Sequence, residues 1–228
     1  NVAEHMGVSR QAQDEWGVRS QNRAEAAQAR GFFEREISPY TLPDGTVVST
    51  DDCIRPGTTY EKVSQLSPVF RPDGTVTAGN ACPLNDGAAA VVVMSDTRAA
   101  ELGIKPLARI ISSGVSALSP EIMGLGPIQA IRQALGRAGM TPDDIDLFEI
   151  NEAFAAQVLP SADEIGIDLD KLNVNGGAIA LGHPFGMTGA RIMTTLLNGL
   201  EDTGGEFGVE SMCVGGGQGM AMVVQRLR

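Results

Sequence analysis

The sequence predicts an α/β fold, a layered domain on a mostly parallel sheet. Three observations predict it. Strand-like apolar runs alternate with amphipathic helical runs from Ala108 to Leu200, the order in which strands return to one sheet through helical crossovers. Two stretches share one plan of strand, small-residue turn with a cysteine, and buried strand: Thr75 to Met94 around Cys82, and Ser211 to Val224 around Cys213. That repetition points to an internal duplication. Between them lies residues 173–191, NVNGGAIALGHPFGMTGAR, with five glycines and one of the chain's two histidines, where backbone can approach backbone or ligand without a Cβ in the way.

Taken in order, Ser9 is placed to cap a helix running to about Ala29, with Trp16, Ala24 and Ala27 near one face and Gly31 as its stop. From Glu34 to Asp73 five prolines and the Asp44-Gly45 and Asp73-Gly74 pairs break every period, so this is a loop-rich excursion. Thr75–Ala81 and the run Val91–Met94 then carry strand patterns, and Ala108–Ser112 another. Pro127 opens a helix with Ile128, Ile131, Leu135 and Ala138 on one stripe and Gly139 near its end. Thr141-Pro142 is a cap followed by proline, Asp146–Ile150 a strand, Asn151 the cap of a helix to about Gln157, and Met187–Leu200 the helix after the glycine-rich turn.

Composition bounds the function. With 43% apolar residues among 228 there is enough for a sizeable core. A net charge of -11 without a Lys/Arg run lacks the footprint of a nucleic-acid binder. No apolar run is long enough for a membrane span, and no signal peptide is visible. Three widely spaced cysteines, Cys53, Cys82 and Cys213, and no Cys-x-x-Cys argue for free thiols in a reducing, cytoplasmic compartment and against a metal site. The glycine-rich stretch matches neither the Walker nor the dinucleotide spacing, so a phosphate cradle is not expected there.

Three polar clusters follow strand patterns: Asn151-Glu152-Ala153-Phe154, Gly182-His183-Pro184 and Cys213-Val214-Gly215-Gly216-Gly217. Residues just beyond strand ends converge on the crevice of an open α/β sheet. A thiol, an imidazole and a carboxamide there, with glycine amides as oxyanion donors, point to acyl or proton-transfer chemistry. Pro184 biases His183 towards an extended conformation and aims its ring.

NEAF, GGAIALGHPFGMTGAR and CVGGGQGMAM, together with VTAGNACPLNDGAAAVVVMS and the opening SRQAQDEWGVRSQNRAEAA, resemble the C-terminal half of thiolases across essentially the whole chain. The resemblance implies a thiolase-like layered fold, a duplicated βαβαβαββ unit, with the N-terminal copy mostly missing. Its parts would be residues 1–75 from the loop domain, 76–106 the last hairpin of the N-terminal domain and 107–228 the C-terminal domain. It implies CoA-dependent cleavage of 3-ketoacyl-CoA or the reverse condensation. By position, His183 matches the histidine that activates the nucleophile, Asn151 the asparagine of an oxyanion hole, Cys213 the acid/base cysteine and Gly215 an amide donor. Arg55 resembles the arginine near the CoA phosphate, and Phe70, Ala78, Met123 and Phe154 match positions around the pantetheine. Cys82 stands where serine is common. No permanently bound cofactor and no metal are implied; coenzyme A and acyl-CoA are substrates, and the family is usually oligomeric. The nucleophilic cysteine has no counterpart here, so the chain alone is expected to be inactive and to need the missing N-terminal half, in its own or another chain. The other reading is a non-catalytic subunit that binds acyl-CoA or a partner. HPFGMTGAR with NACPLNDG looks closest to actinobacterial thiolases acting on bulky, steroid-derived side chains.

Overall fold

The computed structural model describes residues 1–227. After a short helix α1 (Val2–Met6), the Ser9 hydroxyl accepts from the Ala12 amide at 3.1 Å and starts α2 (Arg10–Ala29), which stops before Gly31, as expected. Trp16, Ala24 and Ala27 are buried along it. At Gly17 the helix presses on the 75–80 segment so closely that an added Cβ would stand 2.0 Å from the Gly79 carbonyl oxygen. Gly17→Ala is therefore expected to destabilise the fold by about 1–3 kcal/mol, read as a lower urea midpoint. An unchanged midpoint would contradict this packing.

The excursion contains a two-residue pairing of β1 (Tyr40–Thr41) with β2 (Val47–Val48) around the Asp44-Gly45 turn, then α3 (Tyr60–Val63). Thr75–Ala81 and Val91–Met94 are not strands. Apart from a single bridge between Ala81 and Phe154 they form no β-ladder among the described residues, and Val92 is 86% exposed. An apolar run has a strand's side-chain pattern but no strand without a partner for its amides and carbonyls. Helix α4 (Asp96–Glu101), capped by Ser95, follows.

The remaining elements are β3 (Ala108–Ala117), α5 (Gly126–Ala138), β4 (Leu147–Ile150), α6 (Ala155–Ile165), α7 (Ala178–Leu181), α8 (Thr188–Thr203), β5 (Phe207–Val214) and β6 (Gln218–Arg226). They build one sheet in the order β3-β6-β5-β4. Only β4 and β5 are parallel; β6 is antiparallel to both neighbours, so the sheet is mixed and not mostly parallel as expected. The cause is the tight glycine turn after Val214, which folds β6 straight back along β5. Leu172 adds a parallel bridge to Phe148, and Val174 bridges Gly176 within the glycine-rich stretch. Pro127 and Gly139 bound α5, and Ile128, Ile131 and Leu135 are buried from it.

Successive strand residues face opposite sides. Val223 packs with Ile131 of α5 in one core, together with Phe148, Ile150, Val209 and Trp16; Val224 packs with Leu196 and Leu200 of α8 in another. The sheet is thus a layer between α5 and α8. A third core joins Ala24, Ala27, Phe32 and Phe33 to Ala180 and Leu181 of α7. Helix α6 begins at Ala155 and runs through Pro160, so Asn151 is not its cap. Asn151 to Ala153 stay outside the helix because the Asn151 amide donates to Ser211 and Glu152 is bound elsewhere.

The α8 side of the sheet holds an unusual layer. Glu149 and Glu210 are cross-strand neighbours, both buried. Arg191 of α8 carries the compensating charge, though none of its guanidinium nitrogens has a hydrogen-bond partner among the described residues. Glu36, Glu152 and Asp51 are the other carboxylates whose charge bears on this layer. Burial pushes the Glu210 carboxyl up to about 8 and Glu149 well above the ordinary range, against the pull of Arg191. A carboxyl raised in the folded state stabilises below its unfolded pKa, and that contribution is lost as pH rises through the folded value. The melting temperature is therefore expected to fall as pH rises from about 6 to about 9, with a shallower fall in Glu210→Gln. Equal slopes in the two proteins would refute the assignment.

Candidate active site

Asn151 follows β4, Cys213 lies near the end of β5 and Gly215 in the turn after it, so three of the expected residues share the carboxyl edge of the parallel pair. Asn151 is fully buried, and neither polar atom of its side chain has a partner among the described residues. Gly215 sits in an exposed turn, its carbonyl accepting from Gln218 at 3.1 Å.

Cys213 lines a cavity of about 770 Å³ together with Phe70, Met123, Phe154 and Gln157. Phe70 and Phe154 meet edge to face with ring centres 6.0 Å apart. Three residues expected around the pantetheine thus share a cavity with Cys213, the expected acid/base cysteine. Arg55 and Ala78 do not line that cavity; they touch each other, the guanidinium donating to the Ala78 carbonyl at 3.3 Å, on an exposed surface. Cys82 is tied by its amide to the Ala153 carbonyl at 3.1 Å, and burial pushes its thiol up to about 11.

His183 lines a second cavity, of about 890 Å³, with Asn85, Asp86, Gly87, Phe185 and Met187. Its amide donates to Asn85 Oδ1 at 3.1 Å. Gly182 makes that possible: its φ is +90°, and a Cβ there would stand 2.2 Å from the Asn85 amide. The ring is held from its other side. Thr188 donates its hydroxyl to the Pro184 carbonyl at 3.0 Å, so its oxygen accepts from Nδ1–H of His183 at 2.6 Å. In the neutral ring that leaves Nε2 with the lone pair. Burial, and then the charge of Arg191, hold His183 below the ordinary imidazole pKa, so it is a neutral base near pH 7.

Glu152 is the hub beneath these groups. Its carboxylate accepts from Trp16 Nε1 at 3.1 Å, Asn173 Nδ2 at 2.9 Å, the Ile179 amide at 3.2 Å and the Ser20 hydroxyl. It joins α2 and the stretch before His183 to the residue after Asn151. Asn85, Thr188, Glu152 and Gln157 were not singled out by sequence. Their partners are distant in the chain or turn on hydroxyl orientation, and only Glu152, inside NEAF, carried any signal.

All three thiols are raised by burial, Cys53 also by the adjacent Asp52. No three His, Cys, Asp or Glu side chains gather to hold a metal among the described residues, and no helix there is long and apolar enough to cross a membrane.

A mixed sheet between helical layers, with a thiol and a carboxamide at its carboxyl edge and an imidazole on a neighbouring cavity, defines an α/β protein of the layered, strand-end-site class. The chain belongs to the thiolase family: residues 104–226 match the model for the thiolase C-terminal domain and residues 1–97 that for the thiolase N-terminal domain. Sequence of both domains is therefore present, and the expectation that the N-terminal copy is mostly missing is not supported. The chain is 51% identical to an acetyl-CoA acetyltransferase of Cupriavidus necator over 99% of its length, and 51% identical to the cytosolic acetyl-CoA acetyltransferase of Mus musculus. It spans 58% of each of those proteins. The crystal structure of Bacillus anthracis acetyl-CoA acetyltransferase superposes with a TM-score of 0.97 at 46% identity, covering all of this chain and 58% of that one. Human mitochondrial 3-ketoacyl-CoA thiolase in complex with CoA gives 0.93 at 43% identity, covering all of this chain and 57% of that one.

Proposed function

We propose that this chain carries the His183, Asn151 and Cys213 part of a thiolase that cleaves 3-ketoacyl-CoA with coenzyme A, or runs the reverse condensation. The observation that carries the reading is the pinned His183 ring, which presents a free Nε2 lone pair to an open cavity. In cleavage, His183 Nε2 takes the proton of a nucleophilic cysteine, whose sulfur attacks the 3-keto carbon. The C2–C3 bond breaks, and its electron pair becomes the enolate of acetyl-CoA. Cys213 returns a proton to that carbon, while Asn151 and the Gly215 amide serve the negatively charged oxygens. Coenzyme A then takes the acyl group from the cysteine. Phe70, Ala78, Met123 and Phe154 are proposed around the pantetheine, Cys82 at its amide and Arg55 near the CoA phosphate.

Cys53, Cys82 and Cys213 are poor nucleophiles, because burial disfavours each thiolate. In this reading none of the three takes the nucleophile's place, a further cysteine is proposed for that role, and residues 1–75, 76–106 and 107–228 are proposed as loop-domain, N-domain and C-domain parts. The proposed setting is a cytoplasmic homo-oligomer; the compartment accords with the cytosolic relative of Mus musculus. The HPFGMTGAR and NACPLNDG motifs support a bulky, steroid-derived acyl group. The raised thiols also favour a second reading, an acyl-CoA-binding subunit without turnover.

Thiolysis of acetoacetyl-CoA and of a bulky 3-ketoacyl-CoA by the 228-residue chain, alone and with the remainder of a thiolase, separates the two. Turnover only in the completed protein supports the first. Binding without turnover in both supports the second.

A further inference from the structure

The Gln157 carboxamide lies 1% exposed beneath Asn151 and Cys213. Its orientation follows from its neighbours. Only with the nitrogen towards Asn151 are both ends satisfied: the nitrogen donates to the Asn151 carbonyl at 3.1 Å, and the oxygen accepts from the Val158 amide at 3.0 Å. Reversed, the carboxamide oxygen would face the Asn151 carbonyl oxygen, two acceptors together. The end that faces Asn151 also lies 3.9 Å from Cys213 Sγ, within the longer reach of a hydrogen bond to sulfur. An amide nitrogen has two hydrogens, so with one on Asn151 the other is available to the thiol; in the reversed orientation the thiol would instead donate to the carboxamide oxygen.

The position is built. Gly124 lets the side chain in, since a Cβ there would stand 2.8 Å from that of Gln157. Ser161 accompanies it one turn on, donating to the Gln157 carbonyl at 2.7 Å. Both Gln157 and Cys213 open on the 770 Å³ cavity. Cys82 feels the charge of Cys213, and among the described residues no charged side chain bears on the Cys213 thiol.

We propose that Gln157 donates a hydrogen bond to the Cys213 sulfur and stabilises its thiolate. The catalytic meaning rests on the thiolase reading. In condensation Cys213 must be a thiolate to take the α-proton of acetyl-CoA: the S–H bond forms as the C–H bond breaks, and the pair passes to the thioester oxygen. A buried sulfur with no cation beside it needs a neutral donor, and a carboxamide held by Asn151 is one. The same bond ties the acid/base residue to the backbone of the oxyanion asparagine.

The test needs no turnover. Iodoacetamide is applied to the 228-residue chain from about pH 7 to about pH 11, and alkylation of Cys213 is followed by peptide mass spectrometry. Gln157→Met keeps the length and loses the donor. Its midpoint is expected about one pH unit higher, with alkylation about tenfold slower at pH 8. Gln157→Glu, which puts an acceptor against the sulfur, is expected higher still. Unchanged midpoints in both variants overturn the proposal. So does faster alkylation at an unchanged midpoint, which is what mere loosening of the core produces. Should either variant misfold, the ¹⁵N shift of the Gln157 side chain in the unaltered chain decides: it is expected to titrate with the Cys213 midpoint, and a flat response overturns the proposal. Failure of thiolysis in the completed protein sinks the thiolase reading but leaves these readouts intact.

Discussion

On the proposed thiolase reading, replacing His183 by alanine is expected to lower thiolysis by about 10²–10⁴-fold in the protein completed with a nucleophile, while KM for the 3-ketoacyl-CoA stays near the unaltered value. The argument is local. Nδ1 is spoken for by Thr188, whose own proton goes to Pro184, so the ring has one free position and one task. Without Nε2 the nucleophilic thiol has no neighbouring base. Thr188→Val tests the same arrangement more gently: it leaves the base but frees the ring to turn and take the other tautomer, so a smaller loss in kcat is expected. Its pH profile should shift, since the Nδ1–H partner is gone. A His183→Ala protein with near-normal kcat would remove His183 from the chemistry.

Glu152→Ala is expected to cost about 4 kcal/mol or more, among the largest effects of a single change in this fold. Four donors converge on that carboxylate: the Trp16 indole, the Ser20 hydroxyl, the Asn173 amide and the backbone N–H of Ile179. All are buried, so each loses its partner without gaining water, at about 1–3 kcal/mol apiece before relaxation. Glu152→Gln, which keeps one acceptor oxygen and turns an amide against the remaining donors, recovers only part. Urea denaturation of the two variants gives the comparison. A loss under about 1 kcal/mol for Glu152→Ala would mean that the hub is not structural.

Helices were the most legible part of the fold. Ser9, Gly31, Pro127 and Gly139 mark ends by local chemistry, and the Ile128–Ile131–Leu135 stripe declares a face, because both signals act within a few residues. Strand patterns misled where pairing is non-local. Val91–Met94 has the composition of a buried strand and lies exposed, while β6, equally apolar, is paired on both edges. Nothing in either run states whether a partner exists. Asn151 failed as a helix cap for a related reason: the tertiary bonds of Glu152 hold the backbone out of the helix until Ala155. At the candidate site, His183, Asn151 and Cys213 were singled out by their motifs. Gln157 and Thr188 were not, since a glutamine in a helix and a threonine after a turn are ordinary until their partners are seen.

The place of β6 has a consequence for how the chain comes into being. It follows every other strand in sequence, yet it lies between β3 and β5 and is hydrogen-bonded to both. A ribosome delivers β3 first, then α5 to α8, and the segment that joins β3 to the rest of its sheet only afterwards. Throughout that interval the nascent chain holds helices that can form and a strand that cannot pair. Closure is consequently all at once and late.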